Sequence, residues 1–189
     1  DLSREPESVL RDYGPAVRTP GSVAYDCLMA RRLVERGVGC VRLMHAGWDQ
    51  HNSLTTELYT QCKDTDQPSA GLIADLKQRG LLDETLVVWG SEFGRTPMQE
   101  NRNGLELPFK GRDHHADAFT IWMCGGGIKK GVSYGETDEI GFSPISGKVS
   151  VFDVQATILN QLGFEHEKFT YPFQGRPFRL TDVEGEVIR

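Results

Sequence analysis

Short apolar runs alternating with helical patterns constrain most tightly what this chain can fold into. Val38-Gly39-Cys40-Val41-Arg42-Leu43-Met44 is β-prone, Leu86-Val87-Val88-Trp89 is continuously apolar, and a third such run covers 118–123. Unbroken apolar character of this length is what a strand covered on both faces shows. Between these runs, 25–35 carries Leu28, Met29, Leu33 and Val34 at helical spacing, and Gly37 stops it. Asp66 is placed to cap a second helix with Pro68 in its first turn, a stripe of Leu72, Ile73 and Leu76, and Gly80 at its end. A last helix over 151–162 carries Val154, Ile158, Leu159 and Leu162. Residues 1–20 are polar, with Pro6, Pro15 and Pro20, and read as a peripheral arm with one short helix. The alternation predicts a single α/β unit over 1–189, a mostly parallel sheet with helices on both faces. Ligands in such sheets bind beyond the carboxyl ends of the strands.

Polar clusters stand at those strand ends. His45-Ala46-Gly47-Trp48-Asp49-Gln50-His51 follows the first run, Gly90-Ser91-Glu92-Phe93-Gly94-Arg95-Thr96 the second, and Gly111-Arg112-Asp113-His114-His115 precedes the third. Four of the five histidines fall in the first and last clusters, a crowding that chance placement rarely gives. Asp49 and His51 are two apart, as are Asp113 and His115, so each pair leaves one face of an extended segment. Carboxylate and imidazole together suit Zn²⁺, Mn²⁺ or Fe²⁺ better than Ca²⁺. Asp49, His51, Glu92, Asp113, His114 and His115 are therefore the candidate metal ligands. Arg95 and Arg112 are candidates to clamp a phosphate, sulfate or carboxylate; equally, they pair with Glu92 or Asp113 and hold the cluster together.

Composition excludes several classes. With 21 Lys and Arg against 27 Asp and Glu the net charge is −6 and the pI near 5.4, which argues against broad nucleic-acid backbone binding. No apolar stretch approaches the roughly 20 residues of a membrane span. Cys27, Cys40, Cys62 and Cys124 show no C-x-x-C pair; Cys27 and Cys40 read as small core residues. Gly125-Gly126-Gly127 lacks the pattern of a phosphate loop and reads as a tight strand exit. Ser53, Ser91 and Thr96 lie near the clusters, but none sits in a nucleophile elbow.

The clusters also carry a resemblance. Gly47-Trp48-Asp49-Gln50-His51, Asp64-Thr65-Asp66-Gln67-Pro68-Ser69-Ala70, Leu81-Leu82-Asp83-Glu84-Thr85-Leu86-Val87-Val88, Glu92-Phe93-Gly94-Arg95-Thr96, Gly111-Arg112-Asp113-His114-His115 and Phe173-Gln174-Gly175-Arg176 follow in order. Together they resemble a sulfatase-like family of uncharacterised bacterial proteins placed in the alkaline phosphatase superfamily. The resemblance implies an alkaline-phosphatase-like sheet, incomplete here, and a two-metal hydrolase site at its carboxyl edge, holding divalent Zn, Mn, Ca or Mg. It implies hydrolysis of a small-molecule or polysaccharide sulfate or phosphate ester. By motif order, Asp49 and His51 resemble the first ligand pair, Glu92 the second carboxylate with Phe93 in place of a His, and His114 or His115 the late His. It further implies a missing amino-terminal half with the nucleophile, and a periplasmic or secreted location. A non-catalytic binding or structural member, or a phosphomutase or transferase, remains an alternative.

Overall fold

The computed structural model describes residues 2–102, 104–106 and 110–189. The chain divides into two units, Asp1–Asp83 with Arg95–His114, and Glu84–Gly94 with His115–Arg189.

Three helices organise the first unit: α1 (Glu7–Tyr13), α2 (Val23–Val34) and α3 (Leu54–Gln78), with a 3-10 turn over Pro15–Arg18. Ser22 caps α2 by accepting from the Tyr25 N–H at 3.1 Å, and Gly37 turns the chain after it with φ +80°. The supposed peripheral arm is part of the core: Leu10, Tyr13 and Val17 are buried with Ala24, Cys27 and Leu28. Cys27 sits there as expected, and burial, followed by the nearby Asp26 charge, pushes its thiol up to about 12. Cys40 is exposed, against expectation.

The helix expected to start at Asp66 in fact begins at Leu54 and runs straight through Pro68. A proline in a helix interior removes one hydrogen bond and costs about 3 kcal/mol. Here Pro68 is buried in a stripe with Thr65, Gly71, Asp75 and Leu76, so tertiary packing offsets that loss. Close approach is the reason for Gly71: a Cβ there would lie 2.7 Å from the Asp12 carbonyl.

The α2–α3 contact is charged as well as apolar. Arg31, only 1% exposed, donates from Nε to Asp75 at 2.8 Å, from Nη1 to Glu35 at 2.6 Å and from Nη2 to Glu5 at 2.6 Å. Arg79 Nε donates to the other Asp75 oxygen at 2.6 Å, and the Tyr13 hydroxyl adds a bond at 3.0 Å. Burial and then the Asp75 charge push the Tyr13 phenol well above its ordinary range. Every polar atom of this buried network has a partner, so desolvation is compensated.

The mostly parallel, alkaline-phosphatase-like sheet is not what the chain forms. Sheets among the described residues are two-stranded. Val87–Trp89 pairs antiparallel with Trp122–Cys124, Asn101–Arg102 with Leu105–Glu106, Glu136–Thr137 with Pro144–Ser146, and Thr170–Phe173 with Arg176–Arg179. Most of the 86–89 run becomes a strand, but only the end of the 118–123 run does. A parallel pairing, however, needs a crossover, usually helical, and no described helix lies between them. The 38–44 run forms no strand, Leu43 and Met44 are exposed, and among the described residues no strand pairs with it. In the second unit, Trp89 and Trp122 stack across their strands at 6.2 Å. Its helix, α4 (Val151–Gln161), is close to the expected span and opens with a capping box, Ser150 Oγ accepting from Asp153 N–H and the Asp153 carboxylate from Ser150 N–H. Among the described residues no helix is long and apolar enough to cross a membrane.

Candidate metal centre

In the first unit, backbone contacts bring three segments distant in sequence together. Arg112 N–H donates to the Gln50 carbonyl at 3.0 Å, Leu54 N–H to that of Lys110 at 2.9 Å, Glu100 N–H to that of Gly111 at 2.9 Å, and Thr96 N–H to that of Asp113 at 2.9 Å. The crossing at Gly111 is so close that a Cβ would lie 1.9 Å from the His51 carbonyl oxygen. Only glycine fits, which explains the residue before the Arg-Asp-His-His run.

Asp49, His51 and His114 converge as a result. Their ligand atoms lie within 4.8 Å of one another. Asp49 Oδ1 is 3.1 Å from His51 Nε2 and 2.8 Å from His114 Nε2, and the two Nε2 atoms are 3.2 Å apart. A tetrahedral zinc-type ion at about 2.0–2.1 Å from each donor needs donors roughly 3.4 Å apart, so the triangle fits after opening by a few tenths of an ångström. Two imidazoles and one carboxylate are also the donor set of such ions, whereas calcium and magnesium prefer oxygen alone. Three protein ligands leave one coordination position open.

Protonation at the site favours the same reading. His51 Nδ1 lies 2.6 Å from the carboxylate of buried Glu100. The carboxylate accepts, so Nδ1 donates to it, and in the neutral ring Nε2 is then the ligand atom turned to the triangle. Hydrogen bonds from Arg95, then from His114, hold the Asp49 carboxyl well below the usual carboxylate range. It is therefore ionised at neutral pH, as a metal ligand must be.

Arg95 pairs with Asp49 rather than with Glu92 or Asp113. Asp113 falls in a second group with His51 and Glu100, and its Oδ1 accepts from the His114 N–H at 2.7 Å. Arg112 contributes its backbone: the carbonyl accepts from Arg95 Nη1 at 2.9 Å while the side chain is exposed. Glu92 and His115 belong to the other unit. There Glu92 accepts from the Ser91 hydroxyl at 3.0 Å, and buried His115 has Nε2 2.6 Å from the Phe142 carbonyl, so that its N–H is used by the backbone. Glu100 was invisible to sequence reasoning, because a lone acid after Met98-Gln99 has no spacing that points to a His far away in the chain.

A family model described as "Protein of unknown function (DUF1501)" matches residues 1–189. No curated protein and no solved structure matches the chain. Nothing in these findings links it to the sulfatase-like family of the alkaline phosphatase superfamily, and its short antiparallel pairs do not build that fold. The resemblance read from the motifs is corrected accordingly. The chain belongs to the DUF1501 family of proteins of unknown function.

Proposed function

We propose that this chain binds one divalent transition-metal ion of the zinc type through Asp49, His51 and His114, and hydrolyses phosphate or sulfate esters with it. The observation that carries the reading is the donor triangle, with sides of 3.1, 2.8 and 3.2 Å, backed by the Glu100 carboxylate on His51. When bound, such an ion polarises an ester oxygen and makes water acidic enough to attack near neutral pH. The protein's own part is positional. Asp49 supplies the negative charge, the two imidazoles supply neutral donors, and Glu100 fixes the ring of His51. Arg95, against the triangle, supplies N–H donors for an anionic substrate. His51 would bind the ion through Nε2, and His114, whose Nε2 donates to Asp49 at 2.8 Å, would move that proton to Nδ1 to do the same.

Elemental analysis of the purified protein, combined with aryl phosphate and aryl sulfate hydrolysis before and after chelation, tests this. The expected result is turnover that is lost with the metal and restored by it. Stoichiometric metal with no turnover of either ester class would point to a non-catalytic binding role.

A further inference from the structure

Among the described residues Arg95 makes four polar contacts, and they divide into two kinds. Nη1 donates to the Arg112 carbonyl at 2.9 Å and Nη2 to the Trp48 carbonyl at 3.2 Å. Those carbonyls belong to the segments that carry the ligands, Trp48 directly before Asp49 and Arg112 two residues before His114. The remaining contacts face the ligand atoms themselves, Nη2 to Asp49 Oδ1 and Nη1 to His51 Nε2 at 3.5 Å. Each terminal nitrogen has two N–H groups. One on each is thus anchored by backbone, and the other is engaged by an atom that a metal ion would need.

We propose that these two inward N–H groups form an oxyanion fork that metal binding releases, so that metal and a phosphate- or sulfate-type anion bind cooperatively. The inference rests on the metal reading above. A cation bound at His51 Nε2 takes the atom that lies 3.5 Å from Arg95 Nη1, and a cation at Asp49 Oδ1 competes for the oxygen that Arg95 holds. Once both acceptors serve the cation, the guanidinium loses two partners while its carbonyl anchors keep it in place. It is then left with unfilled donors from one planar group, the arrangement that suits a tetrahedral oxyanion. Without metal, the Asp49 carboxylate both fills the fork and repels an anion. By linkage, the anion must tighten the metal by the same factor that the metal tightens the anion.

Calorimetric titration of the 189-residue chain with sulfate, with and without one equivalent of Zn²⁺, tests the proposal. Sulfate is expected to bind at least about tenfold more tightly to the zinc-loaded protein, within the roughly 5–150-fold range of coupled sites. Zinc titrated into protein saturated with sulfate should gain the same factor. In Arg95→Lys, which keeps the charge but not the fork, the factor should fall below about threefold while zinc still binds. Equal sulfate affinity with and without zinc in the unaltered protein overturns the proposal and leaves the metal site standing. Full coupling in Arg95→Lys overturns the role of the fork, and absence of zinc binding overturns the metal reading and this inference together. Should the variant fail to fold, the titrations of the unaltered protein still decide.

Discussion

His51 Nδ1 lies 2.6 Å from the carboxylate of Glu100, a residue only 7% exposed, and this pairing turns the other ring nitrogen toward Asp49 and His114. An imidazole with one nitrogen tied to a buried carboxylate has its tautomer and ring orientation fixed before any ion arrives. Glu100→Gln should therefore weaken zinc binding by about 10–100-fold, the usual effect of losing such a partner. Competition with a chromophoric chelator measures it, and an unchanged affinity would remove Glu100 from the account.

The close crossing at Gly111 makes a sharper structural prediction. A methyl group there meets the His51 carbonyl oxygen at 1.9 Å, so Gly111→Ala must push the two ligand-bearing segments apart. Loss of metal binding is expected, with destabilisation of about 1–3 kcal/mol. Gly39→Ala is the control, since nothing lies within 4 Å of its Cβ, and it should stay within about 0.5 kcal/mol of the parent in urea denaturation.

Arg31 predicts where the helical unit is most vulnerable. Asp75→Asn weakens the acceptor of Arg31 Nε, of Arg79 Nε and of the Tyr13 hydroxyl. Arg31 keeps Glu5 and Glu35, but three donors lose their charged acceptor together, and a loss of about 1–3 kcal/mol is expected. A denaturation midpoint close to the parent's would show that water reaches Arg31 after all.

Asp153 gives a pH dependence with a definite sign. Burial alone would raise its carboxyl, but hydrogen bonds from the Ser150 and Glu186 N–H groups and the Ser150 hydroxyl outweigh it, and the net shift is downward. A lowered folded value means that this group stabilises the fold above its unfolded value near 4, and that the contribution is lost as pH falls through the folded value. Asp153→Asn should therefore flatten part of the acid limb of stability while lowering the plateau at neutral pH. An acid limb of unchanged steepness would contradict the assignment.

The sequence was legible where one local signal decided the outcome. Periodicity placed α2 and α4 within a few residues, and histidine crowding picked out the segments that meet at the triangle. It failed where a distant contact decided. Pro68 looked like a helix start because its burial within the inner stripe of α3 cannot be seen locally. The apolar runs at 86–89 and 118–123 did not reveal their direction, since an unbroken run looks alike in either pairing, and the antiparallel register came from what lies between them. His115 shared the spacing of a ligand but turned to the Phe142 carbonyl, whereas its neighbour His114 faces Asp49. Glu100 and Gly111 matter through single cross-chain contacts, and nothing in their own neighbourhoods announces them.

The most direct measurement is metal content per chain after equilibration with excess Zn²⁺ and exhaustive dialysis, carried out on the parent, His51→Ala and His114→Ala, with circular dichroism to verify folding. One zinc per chain is expected in the parent and close to none in either folded variant. A parent that retains no zinc, or variants that retain as much as the parent, would contradict that expectation.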